Sequence, residues 1–184
     1  MCRVSVEPMG HRPVVSRSKP FAMSKTPKKP VPLKLRSAGK TDVRAQFAAL
    51  CYRYKDDKLQ ICIVTTRGSG RWILPRGWPT HKKTAHDGAA IEAYEEAGIT
   101  GQVFPNAVGT YVYDKPLDDG VAPVLVVVYA IHATQVAKKW PEKSERKRKW
   151  VSLRTAAKKL DEPGLKQIVA HFDPARLHVA PPAQ

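Results

Sequence analysis

The sequence predicts an α+β fold, a mixed sheet between helices, on three observations. Apolar or alternating runs read as strands in "QFAALCYRY", "LQICIVTTR", "RWILP", "GQVFPNAVGTYVYDK", "APVLVVVYAIHA" and "WVSL". Stretches at 85–97, 153–160 and 164–172 read as helices. Strands and helices do not alternate as regular βαβ units, which argues against a doubly wound parallel sheet. A chain of 184 residues with 42% hydrophobic content suffices for one core.

The elements follow in order. Residues 1–44 hold 11 Lys and Arg against two acids, Glu7 and Asp42, with six prolines and no hydrophobic periodicity. Such a segment cannot bury enough apolar surface to offset ordering entropy, so a flexible basic arm is expected. Its prolines spoil an amphipathic transit helix, and no apolar stretch follows the charges as a secretory signal requires. Met23 is an alternative start. A folded domain is expected over 45–174 and a flexible tail over 175–184. Both the arm and the remainder are basic, within a net charge of +16.

The polar turn "KDDK" (55–58) joins the first two strands as a hairpin, and "GSG" (68–70) precedes the third. A Gly/Pro loop then leads into the helix at 85–97. Thr84 with Asp87 resembles a capping box in which Asp replaces Glu, and Gly98 suits the position just past the helix end. Trp78, beside Pro79, is expected as a packed plug. The run "VAPVLVVVYAI" (121–131) falls short of the roughly 20 residues a spanning helix needs, and reads as a buried strand. No membrane partner is expected. Cys2, Cys51 and Cys62 show no CxxC spacing and read as reduced thiols, so the expected compartment is cytoplasmic.

The helix at 85–97 carries the chemistry. Glu92 and Glu95 are three residues apart and Glu92 and Glu96 four, so the three carboxylates are neighbours and repel. The residues one turn away supply no Lys or Arg. Either the carboxylates form a solvated acidic face, or they hold a hard divalent cation, which prefers carboxylate oxygen and recruits phosphate oxygens. Arg71 and Arg76 flank the loop leading into the helix and favour the second reading, with a polyphosphate beside the metal. His81 and His86, five residues apart, do not match a helical zinc pair.

Gly77, Glu92, Glu95, Glu96, Gly98 and Ile99 fit the spacing G-x5-E-x7-R-E-U-x-E-E-x-G-U, with Ala93 at the first apolar position U. On these residues the chain resembles the Nudix hydrolase superfamily. "RWILPRG", "EEAGITGQV" and "RKRKWVSLRTAAKKL" resemble its diphosphoinositol polyphosphate phosphohydrolase-like branch, and the resemblance spans roughly residues 46–172. It implies a Nudix-type α/β/α sandwich and Mg²⁺- or Mn²⁺-dependent cleavage of a phosphoanhydride by water. Two positions depart from the pattern: Lys83 stands where the family has Glu, and Ile91 where it has Arg. Losing both partners of a pair strands no charge, so the departure does not predict a dead fold.

By this resemblance, Glu95 and Glu96 are metal ligands, Glu92 is a ligand or the water-activating base, and the Gly77 carbonyl is a further ligand. Glu142 or Glu145 could supply the base instead, against a reading of both as solvated acids. Arg71, Arg76, Lys83, Lys147 and Arg148 are the phosphate-contact candidates. The implied substrate is a highly anionic small molecule: a dinucleoside polyphosphate, a nucleoside diphosphate derivative or a diphosphoinositol polyphosphate. Two alternatives stand beside it. One is RNA-directed hydrolysis with a weak RNA contact through the basic arm; the other is a catalytically silent nucleotide- or protein-binding module. The sequence does not fix the oligomeric state.

Overall fold

The first hairpin sets the sheet's geometry. Strands β1 (Ala45–Lys55) and β2 (Lys58–Thr65) pair antiparallel across a two-residue turn, Asp56–Asp57, both at positive φ (50° and 56°). That turn matches the right-handed twist of the strands, and Asp tolerates the left-handed backbone it needs. The computed structural model describes residues 45–117 and 120–177. The expected arm at 1–44, with Cys2, and tail residues 178–184 lie outside the described residues.

After the hairpin come β3 (Trp72–Ile73), β4 (Arg76–Gly77), helix α1 (Ala85–Ala97), the long strands β5 (Ile99–Leu117) and β6 (Gly120–Val136), β7 (Arg148–Val151), and helices α2 (Leu153–Lys159) and α3 (Pro163–Ala170). The sheet runs β3-β2-β1-β6-β5, with β4 also on β1 and β7 also on β2. β1 and β6 are parallel, from Ala45 opposite Leu125 to Tyr52 opposite His132. The other pairings are antiparallel. The sheet is therefore mixed, as the sequence predicts.

Period-two alternation divides the core into two layers. Ala48, Leu50, Tyr52, Ile61 and Ile63 face Ala156 and Leu160 at α2 and Leu165 and Val169 of α3. Ala49, Cys51, Cys62 and Val64 face Ala89, Ala93 and Ala97 of α1. A strand covered on both sides must be apolar at successive positions, which explains the run from Val126 to Ile131 in β6; upstream, Val121 and Leu125 are exposed, so the strand expected as buried over 121–131 is covered on one side only in its first half. Leu50 is fully buried, so truncation to Ala should cost about 2–5 kcal/mol. Burial pushes the Cys62 thiol up to about 12 and raises Cys51 as well, leaving both as free, unreactive core groups.

Two boundaries and one packing expectation are corrected for local reasons. β4 was expected as loop; two residues carry no periodicity, yet they pair with Phe47 and Ala48 of β1. Ser152 was expected in a strand but caps α2, accepting from the Thr155 N–H at 3.3 Å. β7 accordingly ends at Val151. Trp78 is not a plug: it is 43% exposed, with the Lys115 ammonium 4.6 Å from its ring centre. Among the described residues no helix is long and apolar enough to cross a membrane.

Candidate active site

Helix α1 is held at both ends. Thr84 Oγ1 accepts from the Asp87 N–H at 3.3 Å, and its hydroxyl donates to the Asp87 carboxylate at 2.7 Å. The short Asp side chain thus meets the Thr hydroxyl, where a capping-box Glu would reach back to the Thr N–H. Gly98 closes the helix at φ 62°, donating its N–H to the Tyr94 carbonyl at 2.8 Å. A Cβ at Gly98 would also meet Trp140. The buried stripe of α1 is Gly88, Ala89, Ala93, Glu96 and Ala97. Small side chains let the helix settle against the sheet, and they carry one carboxylate inward with them.

The three carboxylates occupy three environments. Glu96 is 3% exposed. One of its oxygens pairs with the Arg146 guanidinium, and the other accepts the Arg76 backbone N–H at 3.2 Å. Burial outweighs the pull of Arg146 and pushes Glu96 up to about 8. Glu92 is half-buried beside Gly77, where a Cβ would collide with its carboxylate; the bare backbone at residue 77 makes that approach possible. Burial, then repulsion from Glu95 and Glu142, pushes Glu92 up to about 7. Glu95 is exposed, and its backbone carbonyl accepts the Glu142 N–H at 3.0 Å.

The segment after β6 completes the site. Glu142 pairs with Arg146 one turn on, and more loosely with Arg67 at 3.8 Å. It is only 21% exposed, so it is not the solvated acid expected beside the alternative base reading; Glu145 is exposed and pairs with Arg67 at 3.4 Å. Trp140 Nε1 donates to the Glu96 carbonyl at 3.2 Å, anchoring this segment to α1. Arg146 is the site residue that sequence reasoning missed. The missing-partner problem on α1 was itself the signal: a buried carboxylate needs a cation, and the chain supplies it from far along the sequence.

The cationic candidates separate. Arg76 requires correction, because its guanidinium is not free for phosphate. It lies buried on the opposite face of the sheet, donating to Tyr111 Oη at 2.6 Å, pairing with Glu162 at 3.2 Å and resting 4.0 Å from the Tyr113 ring centre. Arg148 is likewise committed: its guanidinium donates to the Ala97 and Ala137 carbonyls and lies 4.1 Å from the Trp140 ring centre. Lys147 is exposed next to Arg146. Lys83 is exposed in a shallow depression with Asp87, Ile91 and Glu95. Arg71 is exposed, bonds Ser69 at 3.3 Å and faces a different cavity, shared with Tyr113 and Glu162.

The donor set can be tested against a divalent cation. Among the described residues no three His, Cys, Asp or Glu side chains converge as a ready-made cage. Mg²⁺ does not need one, since it keeps waters and takes one or two carboxylates together with substrate phosphate. Two carboxylates with raised proton affinity, crowded by two more acids around the single buried Arg146, form a site with surplus negative charge. Hard oxygen donors with that surplus fit the cation.

Fold and site together define a protein built around an acidic, capped helix laid on a mixed sheet. The chain belongs to the NUDIX domain family, whose model matches residues 44–172. It is 27% identical over 112 residues to the Arabidopsis thaliana protein named Nudix hydrolase 16, mitochondrial, a match covering 59% of this chain and 62% of that one. It is 24% identical over 131 residues to rat diphosphoinositol polyphosphate phosphohydrolase 2, covering 70% and 69%. The chain spans 52–62% of the length of three of the Arabidopsis relatives it matches. A crystal structure of a C. elegans Ap4A hydrolase binary complex superposes with a TM-score of 0.53 at 16% identity, covering 68% of this chain and 92% of that one. At that identity the likeness shows the Nudix fold.

Proposed function

We propose that the protein is a metal-dependent pyrophosphohydrolase that cleaves a phosphoanhydride in a highly anionic small molecule. The observation carrying this reading is the crowding of Glu92, Glu96 and Glu142 around Arg146 beside the bare backbone of Gly77. Names of a relative and a structural neighbour point the same way, diphosphoinositol polyphosphate phosphohydrolase and Ap4A hydrolase, while a neighbour described as a Nudix domain complexed with ADP ribose supports binding of an anionic pyrophosphate.

Glu92, Glu95, Glu96 and the Gly77 carbonyl would hold Mg²⁺ or Mn²⁺, which supplies Lewis acidity toward the phosphate oxygens. Glu92 takes the proton from the attacking water, since a carboxylate poised near neutrality both accepts and releases protons at working pH. Water oxygen forms the new bond to phosphorus, the bridging P–O bond breaks, and the departing phosphate carries the electron pair. Arg146 keeps Glu96 and Glu142 in place while two other carboxylates remain free of it. Of the expected phosphate contacts Lys83 and Lys147 stay exposed, and Arg67, exposed and paired with Glu142 and Glu145, is a further cation beside the carboxylates.

Incubation with a panel of nucleotide and inositol pyrophosphates plus Mg²⁺ tests the proposal, with products followed by chromatography. Turnover that disappears on chelation supports it. Binding without turnover of any member would instead favour the silent-module reading, which the close Arg146–Glu96 pair also accommodates.

A further inference from the structure

The two-residue strand β4 is where the two faces of the sheet are tied together. On the α1 face, Arg76 donates its backbone N–H to Glu96 at 3.2 Å. The next residue, Gly77, lies with its bare backbone against the Glu92 carboxylate. The Arg76 side chain leaves through the other face, donating to Tyr111 Oη at 2.6 Å and to Glu162 Oε1 at 3.2 Å. The Tyr113 ring lies 4.0 Å from the guanidinium, and its hydroxyl is fixed by donating to Gln46 of β1 at 2.9 Å. The side chains of Arg76 and Glu162 are only 6% and 8% exposed.

Little else holds this strand in place. Arg76 and Gly77 pair with Ala48 and Phe47 of β1, and the Pro75 carbonyl accepts the Ala49 N–H at 2.8 Å. A ladder that short resists tilting weakly, yet it carries an N–H to one proposed metal ligand and a carbonyl that is another. A buried ion pair adds little net stability, because desolvation consumes most of its Coulombic gain. What remains is a fixed position. Glu162 stands at the N-cap of α3 without using its side chain as a cap, so its carboxylate serves Arg76. We propose that Tyr111 and Glu162 are positioning residues for the carboxylate site: they clamp Arg76 from behind the sheet, and the clamp sets its N–H on Glu96 and the Gly77 carbonyl at the metal. This inference rests on the pyrophosphohydrolase reading and adds to it residues that touch neither metal nor substrate.

Isothermal titration of the full chain with Mn²⁺, alongside denaturant unfolding, tests it. The triple variant Arg76→Met, Tyr111→Phe, Glu162→Leu exchanges the clamp for apolar groups of similar size, so its unfolding midpoint should stay near that of the natural protein. Its Mn²⁺ affinity should nevertheless fall about ten- to hundredfold, as when partners behind a metal ligand are lost. Glu162→Gln should show the opposite: its amide oxygen still accepts from Arg76, so affinity is kept while stability falls with the lost charge. Tyr111→Phe, which removes one hydroxyl and opens no cavity, should weaken Mn²⁺ binding by less than the triple variant does. Affinity that simply follows stability across these variants, or that is natural in both the triple variant and Tyr111→Phe, would overturn the inference. Weakened Mn²⁺ binding in the variants of a protein that hydrolyses no pyrophosphate keeps the clamp and removes the enzymatic reading. Hydrolysis with unchanged Mn²⁺ affinity in every variant does the reverse, and no Mn²⁺ binding by the natural protein removes both.

Discussion

Two buried ion pairs lie on opposite faces of one sheet, and they are balanced in opposite ways. On the α1 face, Arg146 is one cation shared by Glu96 and Glu142, with Glu92 crowding from beside Gly77. On the α3 face, Arg76 is one cation surrounded by a single carboxylate and two tyrosines. The first has surplus negative charge and raised carboxyl pKa values. The second is satisfied on its cationic side and lacks only a donor for Glu162 Oε2. Burial alone therefore does not define a reactive site; the charge ratio within the buried cluster does.

The largest expected break in this contrast comes from Glu92→Gln. It removes the proposed base and one ligand while leaving both arginine pairs intact, so turnover should fall by about 10²–10⁴ with the melting temperature nearly unchanged. Retention of full activity would move the base to Glu142 or to another carboxylate of the cluster.

Removing either buried arginine comes next. Arg146→Met and Arg76→Met each strand buried carboxylate charge, at a cost of about 3–5 kcal/mol measured by denaturant unfolding. The two should part on adding Mg²⁺. The carboxylates freed by Arg146→Met offer a cation site, so the metal should recover part of the loss there and none in Arg76→Met.

The pH dependence sharpens the comparison further. Glu92 and Glu96 are raised in the fold from an ordinary value near 4.5 to about 7 and about 8. A group raised on folding contributes stability that is fully present below its unfolded value and lost as pH rises through its folded value. The metal-free protein should therefore lose stability between about pH 4.5 and 8. Metal binding requires the ionised forms, so the gain in melting temperature from Mg²⁺ should be larger at pH 8.5 than at pH 6. A gain independent of pH would separate these carboxylates from the metal.

The smallest effect should come from restoring the family pattern with Lys83→Glu and Ile91→Arg together. Lys83 is exposed and Ile91 only half-buried, so a pair there should change stability by less than about 1 kcal/mol. A gain of several kcal/mol would mean that the loop and helix are poorly supported at these two positions in the natural chain.

The sequence by itself determined what depends on near neighbours. The hairpin turn, the caps of α1 at Thr84 and Gly98, and the spacing of Glu92, Glu95 and Glu96 all rest on interactions within a turn or two of chain. Each was therefore legible. Only the tertiary structure decided the partners. That Arg146 meets Glu96 and that Arg76 leaves the phosphate side for Glu162, 86 residues away, follow from strand pairing across the chain, while the hydrogen bond from the Glu142 N–H to the Glu95 carbonyl sets Glu142 against the helix. A buried charge finds whichever counter-charge the sheet brings to it, and sequence spacing carries no record of that encounter.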